Sequence, residues 1–127
     1  MLSVDLDLAP WRDSLRSLRR ALNDELERAV RVSSRALRDE AKASHSYQDR
    51  TGTLTRSIRV QPTSGTFTED TLEGGVIAHA PYASYVEEGT PRMRACEYLG
   101  TALVIQRDEI QANLDDALER ACWKAGL

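Results

Sequence analysis

Between residues 11 and 43 the apolar positions Trp11, Leu15, Leu18, Leu22, Leu26, Ala29, Val30, Ala36, Leu37 and Ala41 recur mainly in steps of three and four. That period traces one stripe of an amphipathic helix, so the sequence predicts a long first helix with this stripe against the core. Asp7 is placed to cap it, and Pro10 falls in its first turn, where a missing N–H costs nothing. The pattern then changes. Asp49-Arg50-Thr51-Gly52 forms a turn by composition, and residues 54–60 are expected to begin as a helical turn and continue as a strand with Ile58 and Val60 on one side. Residues 62–70, rich in Thr, Ser and Gly, read as a mobile hairpin loop. Residues 71–80, with Leu72, Val76 and Ala78 in alternation, read as the returning strand, and Gly74-Gly75 inside it points to a bulge or a close backbone approach. Residues 82–88 are expected as one helical turn closed by Gly89, after which Thr90-Pro91 resets the direction. Over 97–124 a second long helix is predicted, with Leu99, Leu103, Ile110, Leu114, Ala117, Leu118 and Ala121 on one stripe and Gly126 as its stop.

Long helix, small antiparallel hairpin, short turn, long helix: this order defines an α+β domain in which two amphipathic helices cover a hairpin. With 127 residues the chain has the length of one domain, here taken as 1–127 with a core over about 10–124. A hydrophobic content of 41% beside 29% charged residues is that of a globular chain, too apolar for a disordered one. No apolar run reaches membrane-spanning length, so no membrane partner is expected. The first residues lack the basic and apolar regions of a secretory signal, so synthesis in the cytoplasm is expected. Cys96 and Cys122 have no metal-ligand spacing and read as thiols.

Charge narrows the partners. A net charge of −3 argues against a dedicated nucleic-acid binder, whose affinity comes from neutralising phosphates. It remains compatible with a protein past which DNA travels without sequence-specific binding. The polar face of the first helix is nevertheless dense in arginine: Arg12, Arg16, Arg19, Arg20, Arg28, Arg31, Arg35 and Arg38. Acid-first pairs such as Asp24–Arg28 and Glu27–Arg31 support a solvated helix, and a rival reading makes this face the contact surface of a small regulatory or nucleic-acid-binding module.

Candidate chemistry is sparse. Glu87, Glu88 and His79 are close in sequence, but adjacent glutamates on a helical turn diverge, so neither acid–base catalysis nor a metal site is expected from them. His45 stands near a helix end, where an imidazolium favours the dipole. There is no phosphate-binding glycine loop, nucleophile elbow or paired-cysteine zinc motif, so the expectation is a non-enzyme with no cofactor and no metal. Tyr82, Tyr85 and Tyr98 flank the Glu-Glu-Gly-Thr turn, either as interface residues or as edges of the core.

Two stretches carry a family resemblance. Tyr47-Gln48-Asp49-Arg50-Thr51-Gly52-Thr53-Leu54-Thr55-Arg56-Ser57-Ile58 resembles the pattern Tyr-x-Asp-Arg-Thr-Gly-x-Leu-x-x-Ser-Ile. Residues 80–95, Ala-Pro-Tyr-Ala-Ser-Tyr-Val-Glu-Glu-Gly-Thr-Pro-Arg-Met-Arg-Ala, are similar to Ala-x-Tyr-Ala-x-Tyr-Val-Glu-x-Gly-Thr-x-x-Met-x-Ala. Both are signatures of the small tail-component proteins of long-tailed phages and prophages, regarded as neck or tail-completion proteins. With its flanking helices the resemblance covers about residues 10 to 120. It departs after Ala95, where family members continue with Pro and Phe and a Pro-Ala-Leu helix start, and this chain has Cys96-Glu97-Tyr98-Leu99-Gly100-Thr101-Ala102-Leu103.

The resemblance implies a virion protein of the head–tail joint: a homo-oligomeric ring, expected as a hexamer, around the channel through which the genome passes. Its implied partners are further copies of itself, a tail-tube or tail-terminator protein, and head-completion or stopper proteins. In the first block, Tyr47, Asp49, Arg50, Thr51, Gly52, Leu54, Ser57 and Ile58 are expected to fix the corner between helix and sheet, with Asp49 and Thr51 accepting backbone N–H bonds. In the second, Tyr82, Tyr85, Val86, Glu87, Glu88, Gly89, Thr90, Arg92, Met93 and Arg94 make a mixed-charge corner suited to contact between neighbouring copies, since a ring needs heterologous surfaces that match across one interface. The 62–70 loop is the candidate for a lumenal or partner-contacting segment.

Overall fold

The first helix starts where Asp7 can satisfy it. In the computed structural model, which describes residues 2–43, 45, 47–48, 51–69 and 71–126, α1 spans Ala9–Ala43. The Ala9 N–H donates to Asp7 Oδ1 at 3.0 Å and the Arg12 N–H to the Leu8 carbonyl at 3.0 Å. At 1.5 Å per residue this helix is about 52 Å long. Its buried face begins only at Ala21 and continues through Glu25, Leu26, Ala29, Ser33, Ser34 and Ala41. The expected stripe therefore fails over its first turns: Trp11 is 70% and Leu15 60% exposed.

The last helix explains why. α4, Tyr98–Lys124, runs antiparallel to α1, with Gln106 donating to Glu40 at 3.4 Å, Asn113 to Ser33 at 3.2 Å, and Arg120 and Lys124 to Glu25. It ends level with Glu25, so the first turns of α1 overhang it, touched there by the hairpin loop at Arg19. Where the two helices meet, the buried apolar residues other than Leu26 are small: Ala21 and Ala29 on one, Ala102, Ala117 and Ala121 on the other. Small side chains let the backbones approach closely. The predicted leucine stripe of α4 is displaced as a result. Alanines face α1, while Leu99, Ile110 and Leu114 are half-buried and Leu103 and Leu118 exposed. Glu97, expected as the first helical residue, is instead the N-cap, in a left-handed conformation (φ 46°).

Between the helices, α2 (Thr53–Ser57) runs directly into β1 (Ile58–Ser64), which pairs antiparallel with β2 (Glu73–Ala78). Ile58 is fully buried and Val60 half-buried on the inner face, as the alternation requires. The register runs from Ile58 opposite Ala78 to Gln61 opposite Gly75, then slips by one before Ser64 meets Glu73. The extra residue lies on β1 opposite Gly74, so the glycine pair marks the bulge from the partner strand. Gly74 is also a close approach: a Cβ there would stand 2.4 Å from Val30 Cγ1 on α1.

The loop is shorter than its composition indicated, because Pro62, Thr63 and Ser64 continue β1. It is also tied to α1. Asn23 Nδ2 donates to Thr68 Oγ1 at 3.0 Å, and Arg19 pairs with Glu69 at 3.1 Å. β2 leads to α3, Ala83–Glu88, which Gly89 closes with φ 80°. Two apolar clusters result. One joins Ala41, Tyr47, Leu54, Ile58, Ala80, Ala83, Tyr98 and Ala102 at the end that holds α2 and α3. The other, Leu26, Ala29 and Ala117, lies towards the opposite end and is much smaller. No helix among the described residues is long and apolar enough to cross a membrane.

Candidate functional site

Both sequence blocks fold onto the larger cluster. Tyr47 is buried, its hydroxyl 2.6 Å from Thr55 Oγ1 and its ring 5.2 Å edge-on from that of Tyr98. Leu54 and Ile58 are buried beside it, and Ser57 Oγ closes the helical turn by donating to the Leu54 carbonyl at 2.7 Å. Gly52 takes a left-handed conformation (φ 72°) that an L residue adopts only with strain. Thr51 Oγ1 accepts the Thr53 N–H at 3.4 Å, and the Arg56 guanidinium folds back onto the Thr51 carbonyl at 2.9 Å. The first block thus forms the corner between helix and sheet. The expected roles of Asp49 and Arg50 lie outside the described residues.

The second block builds an exposed corner on a rigid base. After α3 the chain makes a tight turn, in which Thr90 and Met93 exchange backbone hydrogen bonds of 2.9 and 3.2 Å and Thr90 Oγ1 accepts the Arg92 N–H. It then returns along α3, with the Cys96 N–H donating to the Val86 carbonyl at 2.8 Å and the Glu97 N–H to the Glu87 carbonyl at 3.2 Å. Gly89 is required for this return: besides its positive φ, a Cβ there would lie 2.8 Å from Ala95 N and 2.9 Å from the Met93 carbonyl oxygen. Tyr82, Tyr85, Glu88, Arg92, Met93 and Arg94 project from the corner into solvent, while Val86 is half-buried against the core.

Glu87 belongs to the base. Its carboxylate accepts the N–H of Leu99 at 2.8 Å and of Gly100 at 2.9 Å, the first donors of α4, which has no acid in its own first turn. A carboxylate at a helix N-terminus satisfies donors that the helix cannot and meets the positive end of its dipole. Tyr98 is also structural. It is fully buried, donates to the Ala83 carbonyl at 3.2 Å, and its phenol is pushed up to about 12 by burial, then by the charge of Glu87 and by Tyr47. Of the three tyrosines near this turn, Tyr82 and Tyr85 are surface residues and Tyr98 is core.

A second polar feature went unforeseen. Glu25, 3% exposed, is clamped by Arg120 at 2.9 Å and by Lys124. Hydrogen bonds from Lys124 and then Arg120 hold its carboxyl at about 2, well below the ordinary 4.5 and against the opposing effect of burial. Its spacing of four from both Ala21 and Ala29 put it on the buried face, the one signal that could have revealed it. His79 is exposed and gives its backbone N–H to the Ser57 carbonyl, and His45 stacks on Tyr47 at 3.8 Å. Among the described residues, no cluster of His, Cys, Asp or Glu could hold a metal ion. Of the arginines, Arg19, Arg31 and Arg38 are paired with Glu69, Glu27 and Asp39.

No curated protein and no solved structure matches the chain. A family model does, over residues 11–89, described as "Bacteriophage HK97-gp10, putative tail-component". The matched span holds α1, the first block, the hairpin and α3, and ends at the glycine that turns the exposed corner. The chain belongs to the HK97-gp10-like family of phage tail components.

Proposed function

We propose that the protein is a subunit of the head–tail joint of a long-tailed phage. It acts as one copy in a homo-oligomeric ring, a hexamer, in the neck of the virion. The ring joins the tail-tube or tail-terminator protein to the head-completion or stopper proteins and leaves an open channel through which DNA passes without sequence-specific contact. Its work is assembly rather than catalysis, in keeping with membership of a tail-component family.

The observation that carries this reading is the corner around Thr90. Tyr82, Tyr85 and Met93 present apolar surface there beside Glu88, Arg92 and Arg94, on a base fixed by Gly89, by two backbone bonds to α3 and by the Glu87 cap. A patch of aromatic and oppositely charged groups on a backbone that is already ordered loses little conformational freedom on docking, which is what a repeating interface needs. Glu88 and Arg92 have opposite charges, so adjacent copies can pair one with the other around a closed ring.

Light scattering over a concentration range, with and without the phage's tail-tube protein, tests this. A discrete ring, alone or on tubes, is the expected result. Glu88→Arg and Arg92→Glu should each weaken association by at least tenfold without lowering Tm, and the double reversal should restore it. A monomer indifferent to tubes, or a ring untouched by either reversal, would overturn the ring or the corner respectively.

A further inference from the structure

A cleft of about 450 Å³ runs along α1 between the hairpin and α4. Its floor includes Val30 and Leu37, its hairpin wall Leu72 and Gly74, and its α4 wall Ile110 and Leu114. A second hollow, of about 550 Å³, shares Val30, Leu72 and Leu114 with it and extends it past Leu26 and Phe67 towards the α1 overhang. Together they form one largely apolar groove, edged by Ser33, Ser34, Gln61 and Glu73, alongside a sheet that has two strands among the described residues, each paired on a single side.

At the same end of the molecule, residues 2–8 precede α1 outside any regular element, with strict alternation in sequence: Leu2, Val4, Leu6 and Leu8 against Ser3, Asp5 and Asp7. That is the pattern of a strand with one buried face, yet Leu2 is 98%, Val4 82% and Leu6 74% exposed. The groove and the segment match in length. From Leu26 to Leu37 the floor rises about 16 Å; Leu2 to Leu8, extended, spans about 20 Å.

Geometry decides which groove the segment can fill. To fill its own groove the segment would have to fold back along α1 from Ala9 to Leu26, about 26 Å, whereas Val4 and Leu6, fully extended, stand only about 17 and 10 Å from Ala9. Neither side chain reaches the cleft of its own subunit. The overhang from Ala9 to Arg19, however, carries the segment about 15 Å beyond the body of the subunit, outward to a neighbour. We infer that residues 2–8 of one copy dock as an extended strand in the groove between hairpin and α4 of the next copy. Leu2, Val4 and Leu6 enter the cleft, and the backbone runs beside the unpaired edge of the hairpin, a mode of strand addition in which main-chain bonds supply affinity and pockets supply specificity. The contact is heterologous, arm into groove, and can repeat around a ring. This rests on the ring reading above and specifies a second interface within it.

Cross-linking in trans tests it on the full chain with Cys96→Ala and Cys122→Ser. Protein carrying Leu6→Cys, mixed with protein carrying Leu114→Cys, should give a covalent heterodimer under mild oxidation, and a chain carrying both should give a ladder of oligomers. Val4→Asp with Leu6→Asp should weaken self-association at least tenfold and leave Tm unchanged, because these side chains are largely exposed in the isolated subunit. Closure of the doubly substituted chain within a monomer would overturn the inference. So would a ring seen by light scattering without the cross-link, which would leave the ring reading standing. A cross-linked open chain that never closes would uphold the arm and count against the ring, and a monomer with no cross-link would remove both.

Discussion

Glu25 and Glu87 are both acids that hold two elements together, by different means. Glu87 reaches from α3 to cap α4, and the backbone N–H groups of Leu99 and Gly100 lose this carboxylate as acceptor if the side chain is shortened. Glu87→Ala should cost about 1–2 kcal/mol, in line with loss of a helix cap, and lower Tm by roughly 5 °C for a chain of this size. A thermal melt with no change would show that water replaces the carboxylate at no cost. Glu25 contributes through charge. Its carboxyl is depressed from 4.5 to about 2 in the fold, so its contribution is complete above pH 4.5 and is lost as pH falls towards 2. Glu25→Gln should destabilise the protein by about 2 kcal/mol at neutral pH and flatten the acid limb of its stability curve. Denaturant midpoints of the two proteins should therefore converge between pH 4.5 and 2, and a constant gap across that window would mean that Glu25 is not the group responsible.

At the scale of elements, α1 behaves as two pieces joined end to end. From Ala21 onward it is packed by α4 and the hairpin; before Ala21 it is held only at Arg19, through Thr68 and Glu69. A helix segment without packing keeps little protection, because tertiary contact rather than propensity supplies most helical stability. Amide exchange of the isolated subunit should be fast over residues 9–18 and slow over 25–41, and uniform protection along α1 would contradict the packing described. The bulge opposite Gly74 belongs to the same scale. It bends β1 where the hairpin must lie against Val30 of α1, and glycine at that point lets the strand come into contact.

The whole molecule has two unlike ends. One carries both sequence blocks, the larger core and the exposed corner; the other carries the overhang, the open groove and the extended arm. Exposed apolar surface of this kind suits contact with other chains, as the proposed ring requires. The charge-reversal and arm experiments belong here, since both predict changes in association with no change in subunit stability. In the proposed ring, the exposed leucines of the arm and the tyrosines of the corner, at opposite ends of the subunit, would give each copy distinct surfaces for two neighbours.

The sequence by itself determined the number, order and type of elements, because period and turn chemistry are local: α1, the turn into β1, the return on β2, the Gly89 stop and α4 all follow from spacing a few residues wide. It also determined the family, through identities in the two blocks. Tertiary structure alone decided which apolar residues are core. Trp11 and Leu15 lie on the same helical stripe as Leu26, and nothing local distinguishes them; where α4 ends does. Likewise Leu103 and Ala102 are equally eligible for burial until α1 approaches closely enough to favour the smaller side chain. Glu87 and Leu99 meet only because the chain doubles back through the turn at Thr90, and a contact formed across such a return leaves no periodic trace in the sequence.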